Sequence, residues 1–292
     1  MSLKETMRTL FLPITAPITF IQNNFKAVLL VVIVLALITP ASNEQLTTPN
    51  LQSIALEGPI FEVSTLLEQI EEAQNNSDIK GVLFEVNSPG GAIAPSIEVA
   101  YAIKRLREQK PVIVYSSGIL ASGSYYASIW ADQIIANPGT LVGSIGVIME
   151  GANFEELMDK VGVKSQVAKA GKFKQIGTAE RKWTDFERAE LEKVINANYD
   201  MFVADVAEAR ELNASNHTVF ADAHIFTAEQ AMFTKLIDRV GVKHDAKEAL
   251  ETLSGVSEAH WKQEDKFEKF MKQFAAEGIS LVHTYFPQVT LR

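Results

Sequence analysis

The chain has 292 residues, of which 47% are hydrophobic and 22% charged, a balance typical of a globular protein with a sizeable core. The net charge of −9 argues against a nucleic-acid partner, because a phosphate backbone would be repelled. The sequence contains no cysteine, which excludes thiol catalysis, disulfides and thiolate metal sites. Any chemistry must therefore use oxygen or nitrogen nucleophiles.

The N-terminal segment contains an apolar run, AVLLVVIVLALI, from Ala27 to Ile38. The basic residues before it are Lys4, Arg8 and Lys26. Counted over 25–41, the run is close to the lower limit for a membrane-spanning helix, and we favour a retained anchor. A cleaved signal peptide also fits, since TPA at 39–41 ends in a small residue. In both cases the preceding positive charge, with Glu44 after the run, predicts that the body lies outside the cytoplasm.

The body of the chain alternates short apolar runs with amphipathic stretches, which predicts an α/β fold with a mostly parallel sheet and flanking helices. The predicted strands are SIALEG at 53–58, GVLFEVN at 81–87, PVIVYS at 111–116 and DQIIAN at 132–137. The predicted helices cover 64–73, a stretch carrying Val99, Ile103 and Leu106, and 154–161; two more begin at capping boxes, Thr184 with Glu187 and Thr227 with Gln230.

The predicted domains are a membrane segment with its linker at 1–45, an α/β domain at 46–250, and a tail at 251–292. The tail places apolar side chains at helical spacing among Lys and Glu, at Phe267, Phe270, Met271 and Phe274. This pattern predicts an amphipathic helix that packs on the domain, contacts another subunit or lies on a membrane surface.

Two glycine-rich loops follow predicted strands: NSPGGA at 87–92 and GILASGSYY at 118–126. Because the carboxyl ends of parallel strands share one edge of a sheet, the loops should meet there. Glycines leave backbone N–H groups unshielded, and two such groups can form an oxyanion hole. We assign them to Gly91 and Gly123, beside Ser122 as candidate nucleophile. Alternatively PGG is only a turn, the commoner meaning of that motif alone, and the small residues merely permit close packing.

A serine nucleophile needs a base. The five histidines, His217, His224, His244, His260 and His283, all lie in the last third of the chain without an Asp arrangement that suggests a triad. A lysine can replace histidine where burial lowers its pKa from about 10.4. AKAGKFKQIGTAERKWT offers Lys169, Lys172, Lys174 and Lys182, and composition does not choose among them. The stretch is equally consistent with a solvated basic loop.

The motifs NSPGG, ASGSYYAS, NPGTLVGSIGV and GKFKQIG, in this order, resemble the signal peptide peptidase A family of Ser/Lys serine proteases, peptidase family S49. The resemblance covers about 50–245. It implies a ClpP/crotonase-like fold in which Ser122 is the nucleophile, Lys174 the general base, and Ser144 the residue that orients the lysine. Gly91 and Gly123 match the family's oxyanion positions. Ser124 stands where the family has Gly, so a positive φ there would strain the chain.

For a short bacterial form, the resemblance also implies a single-pass anchor in the inner membrane, a periplasmic protease domain at 46–250 and a ring-like homo-oligomer. Ser and Lys can then come from neighbouring subunits. The implied substrates are short apolar peptides such as signal peptide remnants, with no cofactor or metal. Two alternatives stay open: a crotonase-like acyl-CoA enzyme, which needs no serine nucleophile, and a non-catalytic membrane-tethered scaffold on the same fold.

Overall fold

The computed structural model describes residues 23–38 and 48–262. Thr48–Lys262 form one compact domain, so this unit continues beyond residue 250. Helix α1, Phe25–Ile38, belongs to a separate unit and coincides with the apolar run. Within the two described ranges, no helix combines the length and the apolar character needed to cross a membrane. The predicted tail helix around Phe270 lies outside the described residues.

The domain alternates strands and helices from its first element to its last. In chain order the elements are β1 Leu51–Glu57, α2 Ser64–Asn75, β2 Gly81–Ser88, α3 Ile93–Arg107, β3 Val112–Ala121, α4 Gly123–Ser128, β4 Gln133–Ala136, β5 Leu141–Gly143, α5 Glu155–Val161, α6 Asp185–Ala209, a 3₁₀-helix Ala214–Val219, β6 Ile225–Thr227, α7 Ala228–Phe233, β7 Arg239–Val240 and α8 Lys243–Ser254. Every predicted strand and helix within the domain is present. Both predicted capping boxes form, at Thr184 and Thr227.

The sheet has seven strands. Five of them follow one another in the order β1-β2-β3-β4-β7, and each neighbouring pair is parallel. The other two, β5 and β6, lie off this path. The α/β class with a mostly parallel sheet is therefore confirmed. Strand β3 changes partner along its length: residues 113–116 pair with β4, whereas residues 119–121 pair with β5. β5 also pairs antiparallel with β6. The second half of β3 thus has β5 as its partner in place of β4, and Ser122 follows directly at its end.

Each face of the sheet has its own apolar core. The larger core includes Phe84, Val114 and Tyr125, and helices α2, α3, α4 and α6 contribute to it. The smaller core on the other face joins Leu83 and Ile113 to Leu250 of α8. Buried on both faces, β2 and β3 read in sequence as nearly continuous apolar runs. This double burial gives the loops after β2 and β3 a rigid support.

Residues 144–183 form an arm between β5 and α6 whose only helix is α5. Its end is fixed by Arg181, which donates two hydrogen bonds of 2.8 Å to the carboxylate of Glu187 in the first turn of α6. The hydrogen bonds from Arg181, and then from the Thr184 backbone N–H, hold the pKa of Glu187 well below its usual value of 4.5. The interaction therefore stabilises the folded domain fully above pH 4.5, the usual pKa of the carboxyl group. This stabilisation is lost as the pH falls from 4.5 toward the lower pKa of Glu187 in the folded state.

Glu187→Gln is expected to loosen the arm at neutral pH, because the amide cannot accept both charge-assisted bonds from Arg181. We expect trypsin to cleave within 164–182 about tenfold faster than in the wild type. Glu190→Gln is the matched control, since Glu190 lies on the same helix and only pairs with exposed Lys193. Equal cleavage rates for the two variants would show that the Arg181 pair does not restrain the arm.

Candidate active site

A cavity of about 430 Å³ lies where the loops after β2 and β3 meet. The predicted loops therefore come together at one edge of the sheet. Its polar lining includes Ser96, Ser122, Ser144 and Asn198, and its apolar lining includes Pro59, Phe61, Ile93, Val147, Ile148, Met201 and Phe202. None of the described residues that line the cavity carries a formal charge at neutral pH. The cavity is suited to an uncharged, apolar ligand.

Ser122 lies at the sharp turn between β3 and α4. Its φ of 55° and ψ of −125° are unusual for a residue with a side chain, and the turn is held by a 2.8 Å hydrogen bond from the Ser122 N–H to the Gly143 carbonyl. Ser122 is half-buried and lines the cavity. A turn of this kind presents the hydroxyl at the sheet edge while its neighbours stay buried.

The glycine loops touch each other directly behind Ser122. A Cβ atom added at Gly90 would lie 2.5 Å from the Gly123 nitrogen, and one added at Gly123 would lie 3.3 Å from the Gly91 nitrogen. Within the described part of the chain, the N–H groups of Gly91 and Gly123 have no acceptor, whereas the neighbouring Ala92 N–H binds the Ile60 carbonyl. The two glycines predicted to supply the oxyanion donors therefore lie close together, and both line the cavity.

Ser144 directly follows β5 and lines the same cavity as these glycines. Its φ is 51°, and its N–H donates to the His224 carbonyl at 2.7 Å. The preceding Gly143 has a φ of 114°, and a side chain there would meet the His224 carbonyl at 2.5 Å. The backbone at 143–144 is thus held tightly against His224, the residue before β6. This contact fixes the position of the Ser144 backbone.

Lys174 is exposed on the arm and is not among the residues that line the cavity. A single chain brings together Ser122, Ser144, Gly91 and Gly123 but does not add Lys174 to them. The described histidines, His217, His224, His244 and His260, do not line the cavity either, and His283 lies outside the described residues. Across 23–38 and 48–262, no group of three or more His, Asp or Glu could hold a metal ion.

Residues 104–257 match the model of peptidase family S49, which is just over half of the chain. The chain belongs to peptidase family S49. A putative protease of Methanocaldococcus jannaschii is 41% identical over 64% of this chain and 60% of its own length. A putative signal peptide peptidase SppA of Enterococcus faecium is 34% identical over 66% of this chain and 56% of its own. The chain thus spans about six-tenths of these relatives.

Proteases are among the solved structures that align with this chain. A ClpP1 mutant from Listeria monocytogenes aligns with a TM-score of 0.45 and 15% identity, covering 66% of this chain and 93% of that one. A mutant of the 1510-N membrane-bound stomatin-specific protease aligns with a TM-score of 0.45 and 16% identity, covering 70% and 85% of the two chains.

The departure from the S49 pattern at Ser124 causes no backbone strain. Ser124 is not among the residues with positive φ and lies in the first turn of α4, fully buried. Its hydroxyl accepts a hydrogen bond from the Ala121 N–H at 2.9 Å and donates to the Ser88 carbonyl at 2.6 Å. The unusual φ falls instead on Ser122.

The sequence did not single out the wall that α6 and Tyr126 contribute to the cavity. Asn198, Met201 and Phe202 lie on one face of α6, and their spacing of three and four residues was the available signal. The Tyr126 ring packs edge-on against Phe202, with ring centroids 4.7 Å apart, and its hydroxyl donates to Asp205. Burial, and then the bond to Asp205, raises the pKa of Tyr126 above its usual range. Tyr126 therefore lines the cavity in its neutral form.

Gly123→Ala is expected to disable the candidate active site, because the added Cβ would lie 2.2 Å from Ser96 Oγ and 3.0 Å from Ser96 Cβ. The loop would have to move away from Gly91, and we expect a loss of about 100-fold in kcat on a peptide substrate. Adding Ser96→Gly to this variant removes both clashing atoms and should restore part of the rate. A double variant as slow as Gly123→Ala would show that this clash is not the cause.

Proposed function

We propose that the chain is a membrane-associated serine endopeptidase that hydrolyses short apolar peptides such as signal peptide remnants. Ser122 is the nucleophile and Lys174 the general base. The observation that carries the proposal is that Gly91 and Gly123, whose N–H groups lack acceptors among the described residues, line one cavity beside half-buried Ser122. Membership in a peptidase family supports it.

In the first step, Ser122 Oγ attacks the carbonyl carbon of the scissile peptide bond while the neutral amine of Lys174 takes the hydroxyl proton. The N–H groups of Gly91 and Gly123 hold the oxyanion. The carbon–nitrogen bond then breaks, and the leaving amine takes the proton from the Lys174 ammonium. An acyl ester on Ser122 remains. Lys174 next accepts a proton from water as the water oxygen attacks the ester carbon. The bond between that carbon and Ser122 Oγ then breaks, the carboxylic acid leaves, and the Lys174 ammonium returns its proton to Ser122 Oγ. Ser144 accepts a hydrogen bond from the amine and orients it.

The base in this scheme comes from a neighbouring subunit. Lys174 is exposed and does not line the cavity of its own chain. A lysine amine acts as a base only where it is neutral, which requires its removal from water. Contact with the cavity of a second copy would supply both the proximity and the desolvation. Assembly is then a condition of activity.

The arm that carries Lys174 supports such an assembly. Several of its apolar side chains are more than half exposed in the single chain: Ile148, Leu157, Val161 and Val163. Ile148, which is 85% exposed, also lines the cavity, so the apolar surface continues from the arm into the site. A subunit docked on this surface would bury it and close one side of the cavity. We infer a homo-oligomer. A ring is the arrangement of subunits that the resemblance to the family implies.

Membrane association rests on the N-terminal segment. Helix α1 is apolar throughout except for Lys26, and basic residues precede it. We propose a single-pass anchor in the inner membrane with the domain in the periplasm. The apolar cavity fits the substrates that such a position would offer, because signal peptide cores consist of apolar residues.

The test is active-site labelling of the full chain purified in detergent. A fluorophosphonate probe is expected to modify Ser122, identified by mass spectrometry of the labelled peptide, and the same preparation should cleave an apolar peptide. Labelling at another serine, or peptide binding without any turnover by the assembled protein, would overturn the proposal.

A further inference from the structure

A buried hydroxyl next to the nucleophile links the two loops of the site. We propose that Ser124 is a positioning residue that fixes the oxyanion-binding N–H groups relative to Ser122 Oγ, an inference that rests on the proposed peptidase function. Ser124 is fully buried and does not line the cavity, so it cannot touch a substrate. It acts through the backbone on either side of the site.

Ser124 joins the ends of the two strands that carry the site. Ala121 is the last residue of β3, and its N–H donates to Ser124 Oγ. Of the two carbonyls within reach of the Ser124 hydroxyl proton, that of Ser88, the last residue of β2, is closer at 2.6 Å than that of Ala121 at 2.9 Å. The pairing of these strands is irregular just before this point, because Val86 pairs with Ser116 whereas Ser88 pairs with Leu120. β3 thus contains two extra residues where the strands approach the site. The hydroxyl supplies a tie beyond this irregularity.

From each end of the tie, a short path leads to a reacting group. On the β3 side, Ala121 precedes Ser122 directly. On the β2 side, Ser88 Oγ accepts a hydrogen bond from the Gly90 N–H at 3.2 Å, and the Gly90 carbonyl accepts from the Ile60 N–H at 2.9 Å. Gly91 follows. The Ser124 hydroxyl therefore links the nucleophile to the loop that carries the Gly91 N–H.

The position of this tie matters because oxyanion stabilisation depends on donor geometry within a few tenths of an ångström. Without the hydroxyl, the pairing of β2 with β3 beyond the irregularity rests on Ser88 with Leu120, while Ala121 pairs with Gly143 of β5. The β2 loop would then be free to shift relative to Ser122, and such a shift lowers the rate of the chemical step without changing the apolar walls that bind the substrate.

Ser128 provides a matched control for Ser124. It is equally buried and lies one turn later in α4, and its hydroxyl donates to the Ser124 carbonyl at 2.8 Å. Both Ser→Ala changes remove one buried hydroxyl from the same helix, but only Ser124 is bonded to β2 among the described residues. The pair therefore separates a loss of helix stability from a loss of loop position.

The experiment measures kcat and KM of the full chain on an apolar peptide. Ser124→Ala is expected to lower kcat by about 10- to 100-fold with KM changed by less than about twofold. The affinity for a peptide aldehyde, whose adduct oxygen occupies the oxyanion position, should fall by the same factor. Ser128→Ala should keep both values within about twofold of the wild type. Thermal unfolding of each variant reports the folded fraction.

Equal kcat for Ser124→Ala and Ser128→Ala, at equal folded fraction, would overturn the proposal. If Ser124→Ala does not fold, Ser88→Ala takes its place, because it releases the Gly90 N–H on the same path. Its kcat should fall by about tenfold, and an unchanged kcat would overturn the proposal as well. A wild-type chain without peptidase activity would overturn both the proposed function and this inference. An active wild type that Ser122→Ala inactivates, with Ser124→Ala unaffected, would remove only the role of Ser124.

Discussion

Ser122→Ala is expected to abolish peptide hydrolysis and fluorophosphonate labelling, with a loss of about 10⁴- to 10⁶-fold in kcat. Removal of the hydroxyl leaves no oxygen to form the acyl ester, while the oxyanion donors and the apolar walls of the cavity stay in place. Peptide binding should therefore survive. The unusual backbone at Ser122 is held by the hydrogen bond to Gly143, which alanine keeps, so the fold should remain intact.

Ser116→Ala is the control for this variant. Ser116 is buried on β3, the strand that leads to Ser122, and within the described chain its hydroxyl has no partner. Its removal should leave kcat within about twofold of the wild type. Residual hydrolysis by purified Ser122→Ala above that of a heat-inactivated sample would show that another residue is the nucleophile.

Lys174→Ala is expected to lower kcat by about 10⁴-fold, because the Ser122 hydroxyl loses the group that takes its proton. Lys172→Ala is the matched control. Lys172 lies on the same exposed loop, with its amine 4.7 Å from the centre of the Phe186 ring, and has no role in the proposed chemistry. Full activity of Lys174→Ala, or equal losses for both lysine variants, would remove Lys174 from the mechanism.

The same variant tests whether the site is shared between subunits. When Lys174→Ala and Ser122→Ala chains are assembled together in equal amounts, about a quarter of the sites combine an intact serine with an intact neighbouring lysine. Activity should then return to about a quarter of the wild-type value, although each variant alone is inactive. A mixture that stays inactive while its subunits are shown to exchange would place both residues in one chain.

The convergence of the two loops could be predicted from the sequence because it depends on strand order alone. Apolar runs before NSPGG and GILASGS identify two adjacent parallel strands, and parallel strands end at the same edge. The capping boxes at Thr184 and Thr227 were equally readable, since both partners lie three residues apart. Patterns of this kind are local, so they need no knowledge of the rest of the fold.

Other features of the site depend on contacts that are distant in the sequence. The continuation of β3 beyond residue 116 requires β5 as a partner, and the tie between Ser124 and Ser88 spans 36 positions. Neither leaves a periodic signal. The proposed role of Lys174 is a further case, because the side chain is exposed in its own chain and the proposed mechanism places it in the site of another subunit. No pattern within one sequence could distinguish it from its lysine neighbours, and only the family motif did so.

The two ends of the domain lie side by side. Leu51 at the start of β1 forms a parallel bridge with Trp261, and the Lys262 N–H donates to the Leu51 carbonyl at 2.7 Å. The entry and exit of the chain are therefore side by side at the amino end of β1, whereas Ser122 follows the carboxyl end of β3. A seven-residue strand separates these ends by about 23 Å. Fusion partners, affinity handles or surface linkages attached at either boundary would leave the mouth of the cavity unobstructed, and a short peptide joining the two boundaries would yield a permuted domain with new ends elsewhere.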